Sequence, residues 1–252
     1  MKKFSANRTL LQAKSYVSRG QLDQARKLYQ SVLEFFPKNL RAKQGLAALN
    51  QKKCNGDYNL LEKEINRLLT LYNEGQLMTV VEQAEKLLNH FSDSIMLLKI
   101  LGVTFKDLGR LQESETCFTR LINLDPSDPN NHNNLGIIFK ARGNLPGAIK
   151  SFKNAIQLSN NYAGAYNNLG CAYQDQGNLQ DAIKSFSKAI RLNPNNAEGH
   201  YNMGNGLQDL GKLAEAINSY NKATELNPNY VAAYYNIGVA LQAKEDLGES
   251  LK

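Results

Sequence analysis

The chain has 252 residues, of which 42% are hydrophobic and 21% are charged, and its net charge is +7. This composition suffices for a buried core, and no apolar stretch approaches the roughly 18 residues of a membrane-spanning helix. The three cysteines, Cys54, Cys117 and Cys171, are too few and too scattered for a disulfide framework. The basic start is followed by no apolar signal segment, so we expect a cytoplasmic protein without a membrane span.

The positive charge is concentrated at one end of the chain. Residues 1–60 carry 12 of the 30 Lys and Arg residues but only 3 of the 23 Asp and Glu residues. A basic end can meet nucleic acid, anionic lipid or an acidic protein face. Because the charges are dispersed along helical patterns and form no run, a solvated helical face is favoured, and we expect no nucleic-acid binding.

The sequence repeats itself with a period of about 34 residues. The clearest copy begins at Ala163 and carries aromatic, small and turn-forming residues at fixed places, namely Tyr166, Leu169, Gly170, Tyr173, Gly177, Ala182, Phe186, Ala189 and Pro194. The copies one period before and one period after it keep most of these residue types. Within each copy the apolar residues recur at three- and four-residue steps, which is typical of one face of a helix.

Each copy is predicted to form a hairpin of two antiparallel helices. Gly177 interrupts the helical pattern at mid-repeat, and Asn178 and Leu179 begin a second helix. Pro194 ends that helix, because proline cannot donate a backbone hydrogen bond and disfavours helix in its predecessor. One hairpin cannot bury both of its faces, so successive hairpins are expected to stack into a solenoid.

In chain order, the pattern predicts a first repeat over residues 6–39 and a lone helix from Leu40 to about Asn50. Together they form an N-terminal domain over residues 1–51. The segment 52–58 is polar and contains the turn signal Asn55-Gly56, so a linker is predicted there.

The array over residues 59–252 is predicted to hold five full repeats and a truncated sixth, at 61–94, 95–128, 129–162, 163–196, 197–230 and 231–252. The sixth copy is predicted to end about five residues into its second helix. Tyr234, Ile237 and Leu241 then lack a partner helix. We expect either that the chain continues in a longer protein, which we favour, or that another molecule covers this end.

The middle copies resemble the tetratricopeptide repeat family, through the spacing of Tyr166, Leu169, Gly170 and Tyr173 and of Ala182 and Phe186. The match extends over about nine-tenths of the chain at the family's characteristic period. The resemblance implies an all-α fold, a right-handed α-solenoid of antiparallel helix pairs. It also implies that the first helix of each pair lines a concave groove.

Three columns of residues are expected to face this groove. The first holds Asn134, Asn168, Asn202 and Asn236; the second holds Lys106, Lys140, Gln174, Gln208 and Gln242; the third holds Asn133, Asn167, Tyr201 and Tyr235. An amide both donates and accepts hydrogen bonds, so it can bind the backbone of an extended peptide of any sequence. With helices about 8–10 Å apart and about 3.3 Å per peptide residue, one Asn per repeat would contact roughly every third residue. The alternative is that the chain is generally rich in Asn and that these side chains are merely solvated.

The Asn-bearing first helices, such as residues 166–170, also look like those of O-linked N-acetylglucosamine transferases, whose asparagine ladder holds protein substrates. This similarity extends to Asn134, Asn168, Asn202 and Asn236. The catalytic domain of that family is not among these 252 residues.

No residue pattern indicates catalysis or metal binding. The three histidines are far apart, there is no Cys-x-x-Cys, and Gly206-x4-Gly211-Lys212 lacks the hydroxyl residue of a phosphate-binding loop. We therefore expect no enzymatic activity, no cofactor and no metal in this segment.

The sequence predicts a non-catalytic scaffold that binds a protein or an extended peptide in its concave groove. One alternative is a substrate-recruiting N-terminal segment of a larger glycosyltransferase or sulfotransferase, as in bacterial multidomain proteins, which the full gene length would reveal. Another is self-assembly into a homo-oligomer through the uncapped C-terminal end, which sedimentation would reveal.

Overall fold

The computed structural model describes the backbone of residues 6–18 and 21–250 and the side chains of residues 6–17, 21–49 and 60–245. The described residues form thirteen α-helices and no β-strand, which confirms the predicted all-α class. The helices are α1 (Ala6–Ser18), α2 (Leu22–Phe35), α3 (Leu40–Asn73), α4 (Leu77–Leu88), α5 (Ile95–Asp107), α6 (Leu111–Leu124), α7 (Pro129–Ala141), α8 (Leu145–Leu158), α9 (Ala163–Asp175), α10 (Leu179–Leu192), α11 (Ala197–Asp209), α12 (Leu213–Leu226) and α13 (Val231–Ser250). Gly20, the mid-repeat glycine of the first copy, and residues 251–252 lie outside the described residues.

Helices α5 to α12 reproduce the period of the sequence. The first helices α5, α7, α9 and α11 begin at equivalent or adjacent repeat positions, and so do the second helices α6, α8, α10 and α12. Each first helix packs against its own second helix, and each second helix packs against the next first helix. This arrangement is the predicted solenoid of antiparallel helix pairs.

A glycine in a left-handed conformation joins the two helices of each pair. In the copy at Ala163, Gly177 has a φ of +80°, and the backbone N–H of Asn178 donates to the carbonyl oxygen of Tyr173 at 2.9 Å. The Asn178 side chain then accepts a hydrogen bond from the N–H of Asp181, which caps α10. Residues with a side chain seldom adopt this φ. The predicted glycine therefore interrupts the helix because it can adopt the left-handed backbone conformation of the turn.

A second glycine lets the two helices of each pair approach closely. A Cβ atom added to Gly170 on α9 would lie 2.5 Å from the Phe186 ring on α10. Gly136 and Gly204 meet rings in the same way, those of Phe152 and Tyr220. These rings are fully buried, so each pair carries its own core.

The chain divides into two compact units, Met1–Thr70 and Leu71–Lys252. The core of the first unit contains small and apolar side chains of α1, α2 and α3, namely Leu10, Ala13, Ala25, Tyr29, Val32, Ala42 and Leu49. The second unit contains α4 to α13 and therefore all three predicted groove columns.

Helix α3 continues through the segment predicted to be a linker. It runs without interruption from Leu40 to Asn73, so the prediction that a lone helix ends near Asn50 is wrong. The segment 52–58 contains no proline, and a single glycine such as Gly56 costs a helix only about 1 kcal/mol. The Asn-Gly turn signal is therefore too weak to end a helix between helix-forming neighbours.

The C-terminal helix also differs from the prediction. Helix α13 runs from Val231 to Ser250 as one helix, so no second helix of a truncated sixth repeat begins there. The reason lies at residue 245, where Glu245 takes the place of the left-handed glycine of every earlier pair in this unit. Without that glycine the turn does not form.

Among the described residues, no helix has the length and apolarity needed to cross a lipid bilayer.

Candidate functional site

The predicted groove columns lie on the first helices α5, α7, α9 and α11 and on α13. In the first column, Asn134, Asn168, Asn202 and Asn236 are all partly exposed. In the third column, Asn133 and Asn167 are buried, with only 7% and 5% of their surface exposed. The two adjacent asparagines of one repeat therefore occupy different environments.

The two asparagine columns are hydrogen-bonded to each other across neighbouring repeats. Asn168 Nδ2 donates to Asn133 Oδ1 at 3.0 Å. In the next repeat, Asn202 Nδ2 donates to Asn167 Oδ1 at 3.2 Å. The two residues of each pair are 35 positions apart, one more than the repeat length. Each donor therefore bonds to the residue just before its own equivalent on the preceding first helix. We call these bonds the amide ladder.

Tyrosines replace asparagines at the C-terminal end of the amide ladder. Asn236 Nδ2 lies 3.3 Å from the Tyr201 hydroxyl and donates to Asn205 Oδ1 at 3.0 Å. The Tyr220 hydroxyl is 2.9 Å from both Asn205 Oδ1 and Gln208 Oε1, and its one proton serves one of them at a time. Burial raises the pKa of Tyr220 to about 12, so this hydroxyl stays protonated at neutral pH.

A second row of contacts follows the same 35-residue step at the other end of the first helices. Lys140 Nζ lies 3.0 Å from Asp175 Oδ2, and Gln174 Nε2 donates to Asp209 Oδ2 at 2.6 Å. Near the start of the row, the Tyr72 hydroxyl donates to Asp107 Oδ2. That hydrogen bond is the main cause that raises the pKa of Tyr72 to about 12, with burial adding to it.

Charges of opposite sign are paired along this surface. Lys106 Nζ lies 3.1 Å from Asp107 Oδ1, and Lys140 is paired with Asp175 as described above. Lys99, which lies one repeat before Asn133, forms an ion pair with Asp128 at 2.7 Å. The columns therefore present mostly neutral amides and compensated charges.

Side chains of the first column have hydrogen-bond donors and acceptors without a partner among the described residues. Asn134 makes no side-chain hydrogen bond within the described part of the chain, because Lys99 occupies the position one step before it. Asn168 and Asn202 each use one Nδ2 proton in the amide ladder. An amide has two donors and an oxygen with two lone pairs, so each retains a donor and its acceptor.

The remaining predicted groove residues lie on the same helices. Lys106, Lys140, Gln174, Gln208 and Tyr201 are partly exposed, whereas Gln242 and Tyr235 are exposed. The Tyr201 ring packs in a tilted arrangement against two rings, with its centre 4.9 Å from that of Tyr230 and 5.8 Å from that of Tyr220. Tyr235, with 71% of its surface exposed, has no such packing among the described rings.

Sequence reasoning missed the acidic partners in the second row. Asp107, Asp175 and Asp209 recur at one repeat position and accept hydrogen bonds or ion pairs from the preceding repeat. Asp at this position is visible in the sequence, but the 35-residue offset between donor and acceptor is seen only in the folded chain. A comparison at the repeat period alone does not reveal it.

The described residues include no cluster of metal-ligating side chains, and their two cysteine thiols have raised pKa values. These residues contain no group of three or more His, Cys, Asp or Glu side chains that could hold a metal ion. Burial raises the pKa of the Cys117 and Cys171 thiols to about 11, so both stay protonated at neutral pH. Neither is a reactive nucleophile under such conditions.

Comparison with known families matches the repeats directly. Family profiles described as tetratricopeptide or TPR repeats match residues 10–39, 100–128, 138–177, 163–196, 185–218 and 206–244. One of these ranges lies in the first compact unit and the others lie in the second. A search of curated proteins gives no significant match.

Solved structures share the fold at low sequence identity. The crystal structure of MamA is 23% identical with a TM-score of 0.58, over 65% of this chain and 95% of MamA. TTC0263, a thermophilic TPR protein of Thermus thermophilus, is 21% identical with a TM-score of 0.60, over 72% of this chain and 98% of its own. YrrB, described as a TPR protein with an unusual peptide-binding site, is 19% identical with a TM-score of 0.55, over 72% and 90%.

The helix pairs, the glycine turns, the ring-on-glycine contacts and the profile matches agree with one another. The chain belongs to the tetratricopeptide repeat family.

Proposed function

We propose that this chain is a non-catalytic scaffold that binds an extended segment of a protein partner along its first helices. The main support for this proposal is that side-chain amides of the first column, Asn134, Asn168, Asn202 and Asn236, have donors or acceptors without a partner in the described chain. The amide ladder fixes the orientation of Asn168 and Asn202, so their free groups require no ordering when a peptide binds.

The chemistry of the column favours a peptide backbone over other ligands. A backbone offers alternating N–H and C=O groups, which match side chains that both donate and accept. A nucleic acid would instead require uncompensated Lys and Arg, but Lys106 and Lys140 on this surface are paired with carboxylates. Each backbone contact contributes about 0.5–1.5 kcal/mol, so four contacts contribute about 6 kcal/mol at most, which corresponds to a dissociation constant of tens of micromolar.

Selection from a random peptide library on the purified chain tests the proposal. We expect the wild type to select peptides and Asn134→Ala to weaken their binding by about 2–10-fold, the equivalent of one hydrogen bond. Asn134 is the most informative position to change, because its side chain makes no hydrogen bond within the described chain. Removing that side chain should therefore leave the stability of the fold unchanged.

Two further variants control this experiment. Asn168→Ala should weaken both binding and stability, because it also breaks the bond to Asn133. Gln157→Ala, an exposed change on the second helix α8, should alter neither. Equal affinities for wild type and Asn134→Ala would mean that the column is only solvated.

Self-assembly is a second candidate, favoured by the outer face of α13. Gly238 occupies the position at which Gly136, Gly170 and Gly204 meet a ring, yet nothing lies within 4 Å of its would-be Cβ atom. Tyr234 and Leu241 beside it are exposed. Sedimentation equilibrium of wild type and Tyr234→Ser separates the cases. A dimer that the substitution dissociates supports assembly through this face, and a monomer at high concentration rejects it.

The role of a recruiting segment in a larger transferase remains a prediction from the resemblance of the asparagine-bearing helices. The groove would act in the same way in that setting, because the same amides would hold the substrate chain.

A further inference from the structure

A cavity of about 250 Å³ opens among helices α4, α5 and α6, and none of its lining residues belongs to the asparagine columns. Its apolar lining includes Leu88, Leu98 and Phe105. Charged side chains also line it, among them Glu85, which is exposed, and Arg120. The proposed groove function makes no use of this cavity.

The equivalent position two repeats later carries two contacts between a lysine and an aromatic ring. There, Lys153 Nζ lies 5.5 Å from the centre of the Tyr173 ring, and Lys188 Nζ lies 5.8 Å from that of Tyr166. Two repeat lengths earlier, Glu85 stands at the position of Lys153, and Leu98 stands at the position of Tyr166. At α4 and α5, Glu85 therefore replaces one of the two cations and Leu98 replaces one of the two rings. The ring equivalent to Tyr173 is Phe105, and Arg110 Cζ lies 4.5 Å from its centre.

The other charged residues at the cavity are already paired. Arg120, at the position of Lys188, donates to the Ser92 carbonyl oxygen at 2.6 Å and to Asp93 Oδ1 at 3.2 Å. Glu113 accepts from Arg110 Nε at 2.8 Å. Glu85 forms no ion pair within the described part of the chain. The cavity thus combines an apolar lining with one carboxylate that lacks a cation.

We propose that this cavity binds a lysine side chain of a protein partner. The alkyl chain would lie against Leu88 and Leu98, and the ammonium group would pair with Glu85. A volume of about 250 Å³ holds one side chain, so such a contact anchors a larger interface and is weak by itself.

Titration with n-butylammonium, which reproduces the lysine side chain, tests the proposal on the whole chain. We expect saturable shifts of the methyl NMR signals of Leu88, Leu98 and Leu101, with a dissociation constant on the order of 1 mM. Butan-1-ol and butyrate have the same length without the positive charge, and we expect both to bind at least about threefold more weakly. Equal binding of butan-1-ol would overturn the role of Glu85.

Three substitutions sharpen the test. Glu85→Lys and Leu98→Tyr copy residues that the chain carries at the same position of a later repeat, so both should fold and both should lose butylammonium binding. Glu85→Gln keeps the shape and should remove the preference for butylammonium over butan-1-ol. Glu82→Lys makes the same charge change at another exposed position of α4, outside the cavity lining, and should retain binding. Unchanged binding by Glu85→Lys or Glu85→Gln would contradict the proposal.

Discussion

At the scale of single residues, asparagine serves three different purposes in this chain. Asn133 is buried and accepts a hydrogen bond, so its burial carries little penalty. Asn168 is partly exposed and keeps groups free for a ligand. Asn131 is 1% exposed, and neither its Oδ1 nor its Nδ2 has a partner in the described structure. The position on the helix, and not the residue type, decides which of these applies.

Replacing Asn131 by alanine should stabilise the chain. An unpaired buried amide costs about 1–3 kcal/mol, and a fully buried alanine, Ala165, occupies the same position in the next repeat. We expect Asn131→Ala to raise the free energy of unfolding by about 1 kcal/mol, measured by urea denaturation. The exposed change Asn160→Ala should have no comparable effect. A destabilised Asn131→Ala variant would mean that the amide has a partner in solution.

Asp128 should make the stability depend on pH in the acid range. Partial burial alone would raise its pKa, but hydrogen bonds from Lys99 Nζ at 2.7 Å and from the Asn130 N–H at 2.9 Å hold the pKa below its ordinary value. A carboxyl whose pKa is lower in the folded state stabilises the fold above its unfolded-state pKa. That contribution is lost as the pH falls through the folded-state pKa.

The variant Asp128→Asn isolates this effect, because asparagine can still cap α7 but cannot pair with Lys99. We expect it to be about 1 kcal/mol less stable than wild type at pH 7, and we expect the difference to shrink as the pH is lowered below 4. Urea denaturation at a series of pH values measures both. A difference that stays constant from pH 7 to pH 3 would show that the ion pair contributes nothing.

At the scale of the helices, the residues that make the repeats predictable are those with a steric or backbone requirement. The bounds of α5 to α12 follow from the sequence, because glycines such as Gly177 end first helices and rings such as Phe186 pair with a facing glycine. The predicted ends of the helices within α3 and α13 are wrong, because both predictions depended on whether a turn-forming glycine is present. Gly56 is a helical glycine without a turn, and Glu245 replaces a turn glycine.

Two glycines at one repeat position should respond to alanine with opposite signs. At Gly170 an added Cβ atom would lie 2.5 Å from Phe186, so Gly170→Ala should cost about 1–3 kcal/mol. At Gly238 nothing lies within 4 Å, so Gly238→Ala should gain up to about 1 kcal/mol of helix propensity. Thermal unfolding of the two variants measures both. A loss of stability in Gly238→Ala would instead indicate that another chain packs on α13.

At the scale of the whole molecule, the columns of the candidate site could be predicted from the sequence, but their connections could not. The repeat period places Asn168 and Asn202 on equivalent faces. The bonds to Asn133 and Asn167 depend on how adjacent helices are offset, which appears only as a 35-residue step in the folded chain. The cavity at α4, α5 and α6 is likewise lined by two residues, Glu85 and Leu98, that depart from the repeat pattern, so a search for repeated residues does not find it.

The central claim is that the column of partly exposed asparagines contacts the backbone of a bound peptide, and side-chain amide NMR tests it most directly. Assigned Nδ2 signals of Asn134, Asn168, Asn202 and Asn236 would be followed while a library-selected peptide is added. We predict that these signals shift together and saturate at one affinity, while the exposed Asn160 does not shift. Saturable shifts confined to α13, or to the cavity among α4, α5 and α6, would contradict the claim and place the peptide elsewhere.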